Sequence, residues 1–309
     1  MSKPIIVGYD PQTFDRAPVN FAVAAARFTG APLVIASVCA GSAVRDGSAA
    51  GRLDEDLAAD ASGALDEVDR ELDAEGIAVE FRQIDNTSAA RALHEAAEAQ
   101  DAGLLVVGST TRGAIGRVLP GSTAERLMHG APCPIAIVPH EWEPGGGLNT
   151  IGVAYVDTDE GREALRGAHA LARRTGAKLR VLTAVKAGLS AYGATEATTP
   201  VQAGKGITDI EGELRTQAEK TLGRQTEALG DGVPVETDAF VEDPADVLIR
   251  VSENLDLIVC GSRGYGPLRA VLLGGVSRRL AADAQCPVIV LPRGVEASLE
   301  ALMAETPGV

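Results

Sequence analysis

Residues 257–280 read LIVCGSRGYGPLRAVLLGGVSRRL. The stretch opens on four apolar residues, Leu257 to Cys260, a run that suits a strand buried on both faces. Gly261, Gly264 and Gly266 follow, then an apolar run, then Gly274 and Gly275. Val276-Ser277-Arg278-Arg279-Leu280 reads as a helix start with the Ser277 hydroxyl near the cap. Strand, glycine-rich loop and helix, in that order, gather free backbone N–H groups at a helix N-terminus. Such a cluster attracts anions, phosphate above all. Glycine lets the backbone approach a ligand and take φ > 0 without a Cβ clash.

The same arrangement occurs earlier, as Leu104 to Val107 followed by GSTTRGAIGRVLPGST through Thr123. Gly108 to Gly121 and Gly261 to Gly274 are each thirteen positions. One glycine-rich loop is most simply a turn. Two copies at equal internal spacing point to a duplicated unit.

The rest of the chain alternates in the same way. Strands are expected at Pro4–Tyr9, Leu33–Cys39, Ile77–Ile84, Leu104–Val107 and Ile135–Val138. Helices are expected up to Thr29, over Leu53–Glu75, over Ala89–Gln100 and from Ser122, with Gly30 and Gly76 as stops. After the linker EWEPGGG the order repeats. Strands fall at Asn149–Val156, Leu179–Val185, Val233–Val241, Leu257–Cys260 and Val288–Leu291. Helices fall at Glu160–Thr175, Glu211–Leu229 and Ala245–Glu253 and from Val276. Lys186 to Asp209 is a longer, Gly/Ala/Thr-rich insertion, expected as a mobile loop. The boundaries are therefore 1–140, a linker over 141–149, 150–293, and an acidic tail over 294–309 that frays or forms a short helix. Alternating strands and helices imply an α/β fold. It consists of two doubly wound five-stranded parallel-sheet domains of order 3-2-1-4-5, packed as a pseudo-twofold pair.

With 309 residues, 45% apolar and 3% aromatic, the two cores must be built from Val, Leu, Ile and Ala. The net charge of -15 argues against nucleic acid and anionic membrane as partners. No apolar run approaches the ~20 residues of a membrane span, and none suits a signal peptide. A cytoplasmic location is expected. Cys39, Cys133, Cys260 and Cys286 lie at apolar runs without a CxxC pair and read as reduced, buried side chains. His94, His129, His140 and His169 show no metal-ligand spacing. Ser109 and Ser262 sit in no GxSxG elbow. Neither loop is a Walker A motif, so no catalytic residue is assigned.

In an open sheet of order 3-2-1-4-5, ligands bind outside the carboxyl ends of strands 1 and 4, where strand order reverses. Strand 4 delivers the glycine loop for phosphates. Strand 1 delivers Tyr9-Asp10, whose carboxylate can accept from a ribose hydroxyl or an adenine amine. Asp10 can also be read as a helix cap or an Asx-turn, and Arg112, Arg117 and Arg263 as solvated charges or as phosphate partners.

At this level the chain resembles the universal stress protein family in tandem form, over about residues 3–140 and 150–292. The family's ATP signature is G-x2-G-x9-G followed by Ser, Thr or Asn. Gly261, Gly264 and Gly274 fit it, but Gly275 stands where a hydroxyl residue is usual. Gly108, Gly121 and Ser122 fit it, but Thr111 replaces the second glycine. The family's Asp after strand 1 matches Asp10, whereas Val156 occupies that place in the second half. Thr111 would resist φ > 0, or the loop takes another path. The second half, with the less altered phosphate loop, is favoured. Carried onto this sequence, the resemblance implies nucleotide contacts from Gly8, Tyr9, Asp10, Val38, Val107, Gly108, Thr111, Gly121, Ser122 and Thr123. The second half would use Ala154, Tyr155, Val156, Ala184, Cys260, Gly261, Arg263, Gly264, Gly274, Gly275, Val276 and Ser277. It also implies ATP with accompanying Mg²⁺, a stress-response role and an unnamed protein partner. Fifth strands pair across the family's dimer; a tandem chain can satisfy that pairing internally or as a homodimer of chains. The rival readings are a slow ATPase or adenylyl-transfer enzyme, and a nucleotide-free interaction module.

Overall fold

The computed structural model describes residues 2–10, 13, 15–39, 68–70, 72–112, 118–120, 122–186, 207–262, 275–292, 299 and 302. Most of the expected Leu53–Glu75 helix, the body of the Lys186–Asp209 insertion and Arg117 lie outside these residues.

The first half runs β1 (Ile5–Gly8), α1 (Ala17–Thr29), β2 (Leu33–Cys39), β3 (Val79–Asp85), α2 (Ala89–Ala99) and β4 (Leu104–Gly108). It continues with β5 (Thr110–Arg112), β6 (Val118–Pro120), α3 (Ser122–Met128) and β7 (Ile135–Val138). The second half runs β8 (Thr150–Ala154), α4 (Asp159–Thr175), β9 (Lys178–Ala184), α5 (Ile207–Glu227) and β10 (Val235–Phe240). It closes with α6 (Pro244–Ser252), β11 (Leu257–Gly261), α7 (Gly275–Asp283) and β12 (Val288–Leu291).

Ten strands form one sheet in the order β10-β9-β8-β11-β12-β7-β4-β1-β2-β3. Each half has the expected order 3-2-1-4-5, with every pair inside it parallel. The one antiparallel pair in this sheet joins the fifth strands, with Ile135 opposite Val290, Ala136 opposite Ile289 and Ile137 opposite Val288. An antiparallel pair between equivalent strands is what a twofold axis produces. It also removes the two apolar edges that separate halves would expose.

The period-2 alternation of strand side chains divides the core between the two faces. Ile5, Val7, Val106, Val153 and Val259 lie in one cluster. Ile6, Val34, Leu105, Leu182 and Ile258 lie in the other. Both clusters cross from one half into the other. Helix ends follow local chemistry. Gly30 and Gly176 take left-handed conformations at φ 67° and 74°, and their N–H groups close on Ala26 and Ala172. Thr158 and Asp243 cap the N-termini of α4 and α6 by accepting backbone N–H bonds.

Two expectations need correction. Thr110–Arg112 and Val118–Pro120 pair as a short antiparallel hairpin where a plain loop was expected. Helix α5 begins at Ile207, inside the stretch expected as loop. The tail, expected to fray or form a short helix, has 3₁₀ positions at Leu299 and Leu302, and both side chains are buried in the core. A Cβ on Gly167 would lie 2.8 Å from Leu299 Cβ, and one on Gly103 would lie 2.6 Å from Leu302 Cδ2. Those two leucines therefore grip one half each.

Candidate functional site

The sheet order places β1 between β2 and β4, so the reversal in the first half lies between β1 and β4. A cleft of about 180 Å³ opens at their carboxyl ends. Strand residues Gly8, Ala36, Val38, Val107 and Gly108 form its floor. The β1–α1 loop supplies Tyr9, Asp10, Thr13 and Asp15, with Pro18 from the first turn of α1. Ala89 and Leu93 of α2 and Thr123 of α3 close the remaining walls.

Small residues create this space. Gly8 sits opposite Ala36 in the β1–β2 register. A Cβ on Gly8 would meet Leu93 Cδ1 at 2.7 Å, so glycine there lets α2 pack close. A Cβ on Gly108 would lie 3.2 Å from Pro18 Cγ and 3.7 Å from Asp15 Oδ2. Close approach, rather than a positive φ, is what this position requires of glycine.

Asp15 is the buried polar member of the wall, its side chain only 7% exposed. Its Oδ1 accepts from the Ala17 N–H at 3.0 Å and the Glu141 N–H at 3.4 Å. Its Oδ2 lies 3.0 Å from His140 Nδ1, without the alignment of a hydrogen bond. One carboxylate thus ties the start of α1 to the exit of β7 across 126 positions of sequence. The Asp10 carbonyl accepts from both the backbone N–H and the hydroxyl of Thr13, which shapes the loop. Burial pushes the Tyr9 hydroxyl above its usual pKa, with Arg16 opposing and Asp10 reinforcing the shift.

The second half carries the same frame with a different floor. Ala154 sits opposite Leu182, where the first half has Gly8 opposite Ala36. Leu182 is fully buried. At the rim the exchange runs the other way, with Ala184 in the place of Val38. The β8–α4 connection is four residues long, from Tyr155 to Thr158, whereas β1–α1 takes eight, from Tyr9 to Arg16. Helix α4 begins correspondingly earlier. The Val156 carbonyl presses on it so closely that a Cβ on Gly161 would fall 1.9 Å away. Asp157, one residue past the position matching Asp10, is engaged by the Tyr155 hydroxyl at 3.1 Å and by Arg162. Burial and that carboxylate push Tyr155 up to about 12. Ser277 Oγ donates to the Gly261 carbonyl at 3.1 Å. Lys186, Asp243, Arg279 and Asp246 link β9, α6 and α7 by ion pairs at the carboxyl edge. Lys186 in particular holds the Asp243 carboxyl below its usual pKa.

Of the residues expected to bind, Gly8, Tyr9, Asp10, Val38, Val107, Gly108 and Thr123 come together around the first cleft. Thr111 lies in the extended β5 opposite Leu119, so the loop takes another path and φ > 0 is not demanded of it. Ser122 opens α3. Ala154 and Cys260 are paired in register, with Gly261 one residue beyond. Gly275, Val276 and Ser277 form the start of α7. Gly121, Arg263, Gly264 and Gly274 lie outside the described residues. Sequence reading missed Thr13, Asp15, Pro18, Ala36, Ala89 and Leu93. Ala36 was within reach, since it alternates with Val34 and Val38 on one strand face.

Cys133, Cys260 and Cys286 are buried free thiols, each pushed up to about 12 chiefly by burial, so they stay protonated. Among the described residues no cluster of His, Cys, Asp and Glu is placed to hold a metal.

Two linked doubly wound units, each with a glycine at the tip of its fourth strand beside the tip of its first, define the class: a tandem α/β protein of two parallel-sheet units. The profile described as "Universal stress protein family" matches residues 1–139 and again 147–292. The chain belongs to that family and carries its domain twice. The universal stress protein Rv2319c of Mycobacterium tuberculosis is 27% identical over 306 residues, covering 93% of this chain and 99% of that one. A universal stress protein of Mycolicibacterium smegmatis is 33% identical over 137 residues, 44% of this chain and 98% of its own. The crystal structure of a universal stress protein from Archaeoglobus fulgidus superposes with a TM-score of 0.62 at 20% identity. It covers 95% of this chain and 100% of its own.

Proposed function

We propose that this universal stress protein binds one adenine nucleotide, ATP or a close relative, in its first half, and that occupancy serves stress sensing rather than turnover. The observation that carries the reading is the cleft at the β1–β4 reversal, which Asp10 and Gly108 both line. In this reading Asp10 serves the ribose or adenine end and Gly108 the phosphate end. The sequence favours the second half on the strength of its glycine loop. The floors favour the first, because Leu182 fills the place that Ala36 leaves open.

The Asp15 carboxylate beside Gly108 repels a bare phosphate. The nucleotide is therefore expected as its Mg²⁺ complex, with the ion held mainly by phosphate oxygens and water. Hydrolysis is expected to be slow or absent. The protein is expected to act in the cytoplasm; no described helix is long and apolar enough to cross a membrane. The fifth-strand edge is used inside the chain, so a homodimer would need another surface.

Freshly purified protein tests the reading. It should release an adenine-absorbing nucleotide on heat denaturation, or gain thermal stability with Mg·ATP. Ligand at 100 times its Kd stabilises a fold by about 2.7 kcal/mol. Absence of both effects favours a nucleotide-free interaction module. ATP turnover that disappears in Gly108→Val would instead favour the enzyme.

A further inference from the structure

We propose that a second small-molecule site lies between the halves beneath the linker, and that it takes an apolar, preferably aromatic, molecule bearing a cationic amine. A cleft of about 200 Å³ opens there, away from the carboxyl ends of the strands. Phe21, Phe28 and Trp142 supply aromatic walls from α1 and the linker. Phe21 and Trp142 stand edge to face at 5.8 Å, which holds the indole in place. Leu171 of α4 and the tail leucines Leu299 and Leu302 add aliphatic walls.

The charge of the lining chooses the ligand. Glu143 on the linker, and Glu253 and Asp256 on the α6–β11 turn, all line the cleft. No lysine, arginine or histidine does so among the described residues. Arg174 on α4 approaches one end, but it is committed to the Phe28 and Thr29 carbonyls. Asp256 is already held by the Asn149 and Thr150 N–H groups. Glu143 and Glu253 are exposed and remain to meet an ammonium group. An apolar cavity of about 150 Å³ admits a benzene ring. A slightly larger cleft with carboxylates on its lining admits a ring carrying a short ammonium arm. A cation beside Trp142 gains further attraction from the indole face.

Trp142 is the single tryptophan of the chain, so its fluorescence reports this cleft directly. The experiment titrates the full-length protein with phenethylammonium and with 3-phenylpropionate, which has nearly the same shape and the opposite charge. The expected result is a saturable Trp142 response to the amine at least tenfold tighter than to the acid. The preference should shrink severalfold in Glu143→Gln/Glu253→Gln, whose exposed changes leave the fold intact. Ala25→Phe, which fills the cleft from α1, should abolish the response. A response that does not saturate, equal affinity for the two probes, or a preference unchanged in the double variant would overturn the proposal. Mg·ATP should not compete, so this site and the nucleotide site stand or fall separately.

Discussion

The two halves share strand order, helix stops and the position of a glycine at the fourth strand, yet they differ at the ends of β1 and β8. The first half has Gly8 beside Ala36, a long loop and a cleft. The second has Ala154 beside Leu182, a short loop and a helix that starts earlier. The duplicated frame thus carries a small pair of residues at the end of β1 and a larger pair at the end of β8. Divergence also reaches the axis. Ala136 faces its own counterpart Ile289, so a small residue meets a large one. Glu125 and its counterpart Arg278 approach to 3.8 Å as opposite charges. A symmetric pair of identical halves would set like against like at both places.

The largest effect should come from the filled floor. Leu182→Ala empties a fully buried position and should destabilise the protein by about 2–5 kcal/mol in urea unfolding. A much smaller loss would mean that Leu182 is packed more loosely than its full burial implies. Next is Gly161→Ala, whose methyl has no room beside the Val156 carbonyl. It should cost about 1–3 kcal/mol or more. The equivalent stretch of the first half has no such constraint, since loop residues stand there. Asp10→Ala should weaken nucleotide binding by about 10- to 100-fold, the worth of a hydrogen bond to a charged group. Asp157→Ala in the second half should leave binding unchanged, which isothermal titration can check.

The smallest effect concerns His169, buried on α4 with Nε2 unpartnered. Burial first, and the Arg173 charge second, hold its pKa below the ordinary value. The unfolded chain then binds the proton more readily, so stability falls as pH drops below about 6.5. In His169→Gln the stability difference between pH 7.5 and 5.5 should be smaller than in the parent protein. An identical difference would remove His169 from the account.

Much of this frame is legible in the sequence because buried parallel strands announce themselves as short apolar runs. Leu33–Cys39, Ile135–Val138 and Val288–Leu291 fall where those runs predict. Gly30 and Gly176 mark helix ends because the left-handed conformation there favours glycine. The cleft is less legible, since it depends on register. Ala36 and Leu182 differ by three carbons, and the difference matters only once each is placed beside the end of β1 or β8. Asp15 and His140 lie far apart in sequence and meet only through the sheet order. Val295, Leu299 and Leu302 recur at helical spacing in the acidic tail, but a stretch this short does not reveal which surface its apolar side meets.

The central claim is that the first cleft, and not the second, takes the nucleotide. Isothermal titration of Mg·ATP into the parent protein, Ala36→Leu and Gly261→Val tests it most directly. The account predicts one site per chain, lost when Ala36→Leu copies the floor of the second half into the first and retained in Gly261→Val. Two sites in the parent protein, or a single site that survives Ala36→Leu and vanishes in Gly261→Val, would contradict it.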